Sequence, residues 1–184
     1  MHFTPYTSRL QALIGQKVKV VNAGKSGDTT DDMMVRLPEI QTKPVGLAII
    51  FAGTNDLTPQ HVSAENITTN LEKLHSAFWS RGAFSVAITL PALSWIRHLP
   101  FSIAKYKAVN EYLREMQRKK RWVLGLLELE NMFLPTNAPE NAFFWGIDFA
   151  HLSDQGYERV GELVFKVIEA SVVDESVSKV FKME

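Results

Sequence analysis

Short apolar runs alternate along the chain with longer stretches whose apolar residues recur every three or four positions. Four runs read as strands: "VKVVNAG" at 18–24, "GLAIIFAG" at 46–53, "AFSVAITLPA" at 83–92 and "WVLGLLEL" at 122–129. The second is apolar throughout between two glycines, the pattern of a strand buried on both faces. Helices are expected between and around them. One covers 5–14, and another covers 29–37, where "DTTDD" supplies a capping threonine and first-turn acids. A third, over 63–79, carries Ile67, Leu71, Leu74 and Phe78 on one face, and a fourth, over 104–119, carries Tyr106, Val109, Leu113 and Met116. Ser153 is the expected N-cap of the last helix, whose apolar face holds Val160, Leu163, Val164, Val167 and Ile168. Strands alternating with helices predict an α/β domain with a mainly parallel sheet. No repeat or linker interrupts the pattern, so residues 1–184 are expected to form one domain, with 174–184 as a frayed tail.

Composition narrows the function classes. Hydrophobic residues make up 46% and charged residues 22%, and Lys+Arg and Asp+Glu each number 20, so no global field favours nucleic acid or an acidic membrane. The one basic run, "RKKRW" at 118–122, follows a helix, where cations complement the dipole. With no cysteine there is no disulfide, thiolate metal site or cysteine nucleophile. No apolar run approaches the ~18 residues of a membrane span. The start "MHFTPYTSRL" has no basic segment followed by an apolar one, which excludes a signal peptide at that point and favours the cytoplasm. No histidine cluster has metal-ligand spacing, and no cofactor is expected.

Three polar stretches follow strands: "NAGKSGDTT" at 22–30, "AGTNDLT" at 52–58 and "DFAHLS" at 148–153. Ligands of open α/β sheets bind at the carboxyl ends of the strands, so the three converge on one edge. Each has a plain structural reading: a turn feeding a helix cap, an Asn/Asp turn, and a capping pair. Together they hold the parts of an acyl-transfer site. His151 is a base suited to neutral pH, and Asp148, three residues earlier, can fix its tautomer. Gly27 allows close approach of a backbone N–H, and Asn55 offers a side-chain amide that donates without adding charge. Asp56 is assigned to stabilising the turn. His2, His61 and His75 are assigned to the surface, while His98, Ser94 and Ser102 belong to a loop that lines a pocket.

The order and wording of these stretches resemble the SGNH (GDSL-type) hydrolases, a family of serine esterases and lipases. "VKVVNAGKSGDTT" is similar to the family's second block, "FAGTNDL" to its third and "DFAHLSDQGY" to its fifth. The resemblance implies a flavodoxin-like sheet of order 2-1-3-4-5 flanked by helices. It implies Gly27 and Asn55 as oxyanion-hole donors, His151 as general base and Asp148 as its partner. It also exposes a gap, because the nucleophile's block, a strand ending in Gly-Asp-Ser, occurs nowhere in the sequence. The opening "FTPYTSRLQALI" is similar to a segment that follows that block in the family. The serine and its strand are therefore expected upstream of Met1. Ser26, beside Gly27, is the weak substitute within the chain, and Ser8 is structural.

The absent strand would lie between 18–23 and 46–52, so either the sequence is a shortened version of a longer product or the sheet closes differently, by re-pairing or by taking a strand from a partner, a strand-exchanged dimer included; the oligomeric state is open. The expected function is serine-type hydrolysis of a small acyl ester or acetylated substrate, with the 184-residue chain inactive by itself. The alternative is a non-catalytic binding protein on the same scaffold. A flavodoxin-like nucleotide binder lacks support, for neither a Gly-x-Gly-x-x-Gly nor a Walker pattern is present. The substrate within these classes does not follow from the fold.

Overall fold

The computed structural model describes residues 4–93, 96, 98–130, 143–148 and 150–172. In chain order these form α1 (Tyr6–Ile14), α2 (Thr30–Ile40), β1 (Leu47–Ile50), a single 3-10 turn (Asn55–Leu57), α3 (Ala64–Trp79), β2 (Phe84–Ile88), α4 (Pro100–Lys119), β3 (Val123–Leu127) and α5 (Asp154–Val172). The strands make one parallel sheet in the order β1-β2-β3. Leu47 pairs with Phe84 and Ile50 with Ala87, and the β2–β3 register slips between Ser85 and Val86.

The helical stripes face this sheet as the sequence predicts. Ile67, Leu71 and Leu74 of α3, Val109 and Leu113 of α4, and Val160 and Val164 of α5 are buried with Val86 and Ile88 of the central strand. Two boundaries differ from expectation. The fourth helix starts at Pro100 rather than 104, because proline in the first turn lacks only an N–H that has no helical partner there. The second helix continues through Pro38 to Ile40 instead of stopping before it.

The predicted strand at 18–24 does not form. Val21 is 67% exposed, and β1 is paired only on its β2 side among the described residues. A strand persists only where its backbone groups find partners. Here the side chain of Gln11, on α1, substitutes for a neighbouring strand over a few residues. Its Nε2 donates to the Val18 carbonyl at 3.0 Å, and its Oε1 accepts from the Val20 N–H at 2.7 Å.

His75 is a second correction, since it is fully buried rather than on the surface. It falls on the sheet-facing side of α3, and its Nδ1 lies 2.7 Å from the Ser85 hydroxyl of β2. Burial without a counter-charge pushes its pKa down to about 3. Ser85 also reaches the Trp122 carbonyl, at 3.3 Å, so its oxygen is left to accept from Nδ1–H.

Helix α5 fixes the direction of the last part of the chain. The Ser171 hydroxyl donates to the Leu124 carbonyl at 3.3 Å, and Val167 sits over Gly125 so closely that a Cβ there would collide with it. The helix thus runs antiparallel to β3, and its N-terminus emerges at the carboxyl edge of the sheet. Arg9 pairs with Glu162 at 2.8 Å and joins α1 to its outer side. No helix among the described residues is long and apolar enough to cross a membrane. The expected tail lies outside the described residues.

The contact at Gly125 gives a direct test. Gly125→Ala must push Val167 or the whole of α5 away from β3, an overpacking change that costs about 1–3 kcal/mol. Urea unfolding should show a lower midpoint at unchanged slope; an unaltered midpoint would mean that α5 is not seated on β3 in this way.

Candidate functional site

Two pairs of predicted residues come together at the carboxyl edge, each held by its own loop. The first pair links the turn before α2 to the turn after β1. Gly27 has φ +86, a left-handed conformation that favours glycine, and its Cα faces open space. Asp28 follows it, with its N–H on the Lys25 carbonyl at 3.3 Å. The Asn55 side-chain amide donates to the Asp28 carbonyl at 2.8 Å, so the amide is fixed against the Gly27–Asp28 turn. A primary amide has two N–H groups, and this bond uses one of them. The other is available to a ligand.

Buried polar bonds lock both turns. The Asp28 carboxylate is buried and paired with Arg36, whose Nε donates to it at 2.7 Å. The same guanidinium reaches the Ala23 carbonyl at 3.3 and 3.4 Å, which closes the 23–28 loop onto α2. Thr29 caps α2 in a reciprocal box with Asp32. Asp56, next to Asn55, is 1% exposed and turns inward. It accepts from the Thr30 N–H at 3.1 and 3.0 Å and from the Thr30 hydroxyl at 2.6 Å. Burial raises its pKa, and the bonds from Thr30 pull the other way. Asn70 of α3 completes the set by donating to the Thr30 hydroxyl oxygen at 3.1 Å.

Carbonyls just downstream are anchored too. Ser102 donates to the Leu57 carbonyl at 2.8 Å, and Lys105 Nζ donates to the Pro59 carbonyl at 2.5 Å. Ser102, expected to flank a pocket-lining loop, is instead fully buried in this structural role. Ser94 lies outside the described residues, and His98 and His61 are exposed.

The second pair is Asp148 and His151. Asp148 Oδ1 accepts from the N–H groups of Ala150 and His151, both at 3.0 Å, and its Oδ2 lies 2.8 Å from His151 Nδ1. One carboxylate therefore shapes the turn and orients the ring. The two backbone N–H bonds and the ring contact hold Asp148 well below the usual carboxylate range. An ionised carboxylate can only accept, so Nδ1 carries the proton and Nε2 is the basic nitrogen. The loop is tied at its base by Gly146 N–H to the His151 carbonyl, at 2.8 Å, and Ser153 N–H to the Phe144 carbonyl, at 2.9 Å. Ser153 Oγ accepts from the Gly156 N–H at 3.1 Å, the N-cap bond expected of it.

Topology sets these two pairs at the same edge. Asn55 follows the end of β1, and His151 precedes the α5 terminus that emerges beyond β3. With one strand between, the axes of β1 and β3 stand about 10 Å apart. The bonds described join the four residues as two pairs and do not cross from one pair to the other. Ser26 is exposed in the turn before Gly27. Among the described residues, no group of three or more potential ligands could hold a metal ion.

Asp56, assigned to stabilising the turn, does so through Thr30, while Arg36, Thr30 and Asn70 were not identified from the sequence. Arg36 sits eight residues beyond Asp28, across a helix start, and no local spacing marks such a pair. Asp56 and Thr30 are 26 residues apart.

Comparison with known proteins agrees with this fold. The profile of the GDSL-like Lipase/Acylhydrolase family matches residues 2–159. No curated protein matches the chain. Among solved structures, a lipase/acylhydrolase from Enterococcus faecalis is similar at 27% identity and a TM-score of 0.73, over 90% of this chain and 83% of that one. The acetyl xylan esterase AlAXEase is similar in fold at 18% identity and a TM-score of 0.73, over 89% and 90% of the two chains. The psychrotrophic esterase EstA from Pseudoalteromonas sp. is similar in fold at 15% identity and a TM-score of 0.68, over 92% and 86%.

The Asp148 contacts make a pH-dependent prediction. A carboxylate whose folded pKa is depressed adds stability above the ordinary value near ~3.9, and that stability is lost as pH falls through the depressed value. A carboxyl-carbon NMR titration should therefore find Asp148 still ionised at pH ~3.9, with the His151 Nδ1 contact intact. A midpoint in the ordinary range would show that the Asp148 turn is not formed in solution.

Proposed function

Because the chain belongs to the GDSL-like lipase/acylhydrolase family, we propose that its site serves serine-type hydrolysis of a small acyl ester or acetylated substrate, with the nucleophilic serine supplied from outside these 184 residues. The observation that carries this reading is the Asp148–His151 contact, which turns Nδ1 to the carboxylate, so that Nε2 would serve as the base at the edge that also holds Asn55.

In this reading, His151 Nε2 takes the serine proton as the serine oxygen attacks the acyl carbonyl. The oxyanion is met by the second Asn55 N–H and the Gly27 backbone N–H. His151 then protonates the departing alcohol, and the acyl-enzyme is hydrolysed by a water that the same nitrogen activates. Asp148 stays ionised throughout and favours the imidazolium. The reading draws support from the Pseudoalteromonas esterase, described as inhibited by monoethylphosphonate, a tetrahedral phosphorus compound of the kind an acyl-transfer site accommodates.

The strand carrying the serine fits the free side of β1. That side is unpaired among the described residues, and residues 18–20 lean on Gln11 in place of a strand. Gly53, two residues before Asn55, opens the backbone at φ +105 where the carboxyl edge begins.

The test compares the 184-residue chain with a longer form that begins upstream with a Gly-Asp-Ser strand. Each is given a fluorophosphonate probe, which labels an activated serine, and p-nitrophenyl acetate. The short chain should remain unlabelled and without turnover, and the longer form should gain as much as ~10⁶-fold, the scale on which a triad serine acts. In the longer form Asn55→Ala should lower kcat by about 10²–10³. Labelling of the short chain that Ser26→Ala abolishes would move the nucleophile to Ser26. Failure of both forms to react would leave the scaffold as a binding protein.

A further inference from the structure

The turn that carries Asn55 is gripped from a second side, by the first turns of α4. Lys105 is 6% exposed, and its ammonium faces three carbonyls of one short stretch of chain. Its Nζ donates to the Pro59 carbonyl at 2.5 Å and lies 3.4 Å from the carbonyl oxygens of both Asp56 and Leu57. Ser102, one turn earlier on the same helix, donates to the Leu57 carbonyl at 2.8 Å. The Phe101 ring flanks the ammonium, with Nζ 5.2 Å from its centroid.

This is a costly place for a cation. A buried ammonium is tolerated only when its protons are met, and in the second turn of a helix the dipole gives it no help. Burial pulls its pKa down, and the Asp56 carboxylate works against that fall. An ammonium has three N–H groups, and here three main-chain carbonyls meet it, in the manner of a monovalent cation held by backbone oxygens. On its other side the same turn is held by the Asp56 carboxylate on Thr30. The segment that begins at Asn55 thus lies between a side-chain anion directed at α2 and a side-chain cation supplied by α4.

We propose that Lys105 is a positioning residue for the Asn55 amide: its ammonium acts as a tethered monovalent cation that gathers the carbonyls of Asp56, Leu57 and Pro59, and so fixes the direction in which Asn55 presents its second N–H. The Asp56 carboxylate secures one side chain of the turn, and the carbonyls that set the turn's backbone are left to α4. Lys105 acts only through the turn. The proposal rests on the hydrolase reading for what the amide does, and not for where the amide is held.

Lys105→Met, which keeps the length of the side chain and removes its charge and donors, tests the proposal in two ways. In the ¹⁵N-labelled 184-residue protein the Asn55 side-chain amide signals should move towards those of a free amide, while the His151 ring signals stay as in the parent. In the longer form that carries a Gly-Asp-Ser strand, the substitution should lower kcat on p-nitrophenyl acetate by about 10–10²-fold with KM little changed, short of the loss expected for Asn55→Ala. Placed on top of Asn55→Ala it should cost no further kcat, because the two changes remove one interaction. A residue that merely supports the fold would instead add its loss to that of Asn55→Ala. Should Lys105→Met not fold, the parent protein decides: a lysine-selective ¹⁵N spectrum should show the Lys105 ammonium as a slowly exchanging signal, and a rapidly exchanging one would overturn the proposal. An Asn55 amide unmoved by Lys105→Met, or additive losses of kcat, would overturn it too. A longer form without turnover would count against the hydrolase reading, and the amide signals would still decide the role of Lys105.

Discussion

The buried carboxylate of Asp56 on the start of α2 is the contact on which the donor half of the site depends. It meets the Thr30 N–H and hydroxyl together, where a helix terminus offers unsatisfied donors and a positive dipole. A carboxyl group this deeply buried is tolerated only when its oxygens are well satisfied. By binding there, Asp56 pulls the turn after β1 against the turn before α2. Its neighbour Asn55 then reaches the Asp28 carbonyl, and the Gly27 backbone lies beside an amide with one N–H to give. Arg36 closes the same loop from the other side through Asp28 and Ala23. The donor pair is thus held by rigid elements and not by the loops alone.

The Asp148–His151 pair is held differently. Asp148 and His151 are exposed, and their turn is held by short-range bonds within a few residues and by its junction with α5. The placement of α5 on β3, set by the bare backbone at Gly125, carries this turn to the sheet edge. The two halves are therefore independent. A change in the α2–α3 network should disturb Asn55 without moving the imidazole, and a shift of α5 should do the reverse.

Much of this was legible in the sequence, for identifiable reasons. Helices with strong apolar stripes, such as 63–79 and the helix after Ser153, appeared close to their expected limits, because burial of the stripe and a local cap act together. The Asp148–His151 contact spans three residues and was likewise readable. The strand at 18–24 failed because strand formation depends on a neighbour, which apolar content cannot supply; a glutamine side chain took part of that neighbour's place. His75 was misplaced because a polar residue on the inner side of α3 found one specific partner, Ser85, ten residues on. Arg36 and Thr30 escaped notice because their partners are set by tertiary packing.

The central claim is that Asp56 holds the Asn55 amide against the Gly27–Asp28 turn, independently of His151. The most direct measurement is the NMR spectrum of Asp56→Ala, followed at the Asn55 side-chain amide and the His151 ring. The substitution removes both acceptors from Thr30, and stability should fall by about 1–3 kcal/mol. The two Asn55 amide protons should move to the positions of a free side-chain amide, while the His151 ring signals stay as in the parent protein. An Asn55 amide that keeps its parent shifts after Asp56 is removed would contradict the account.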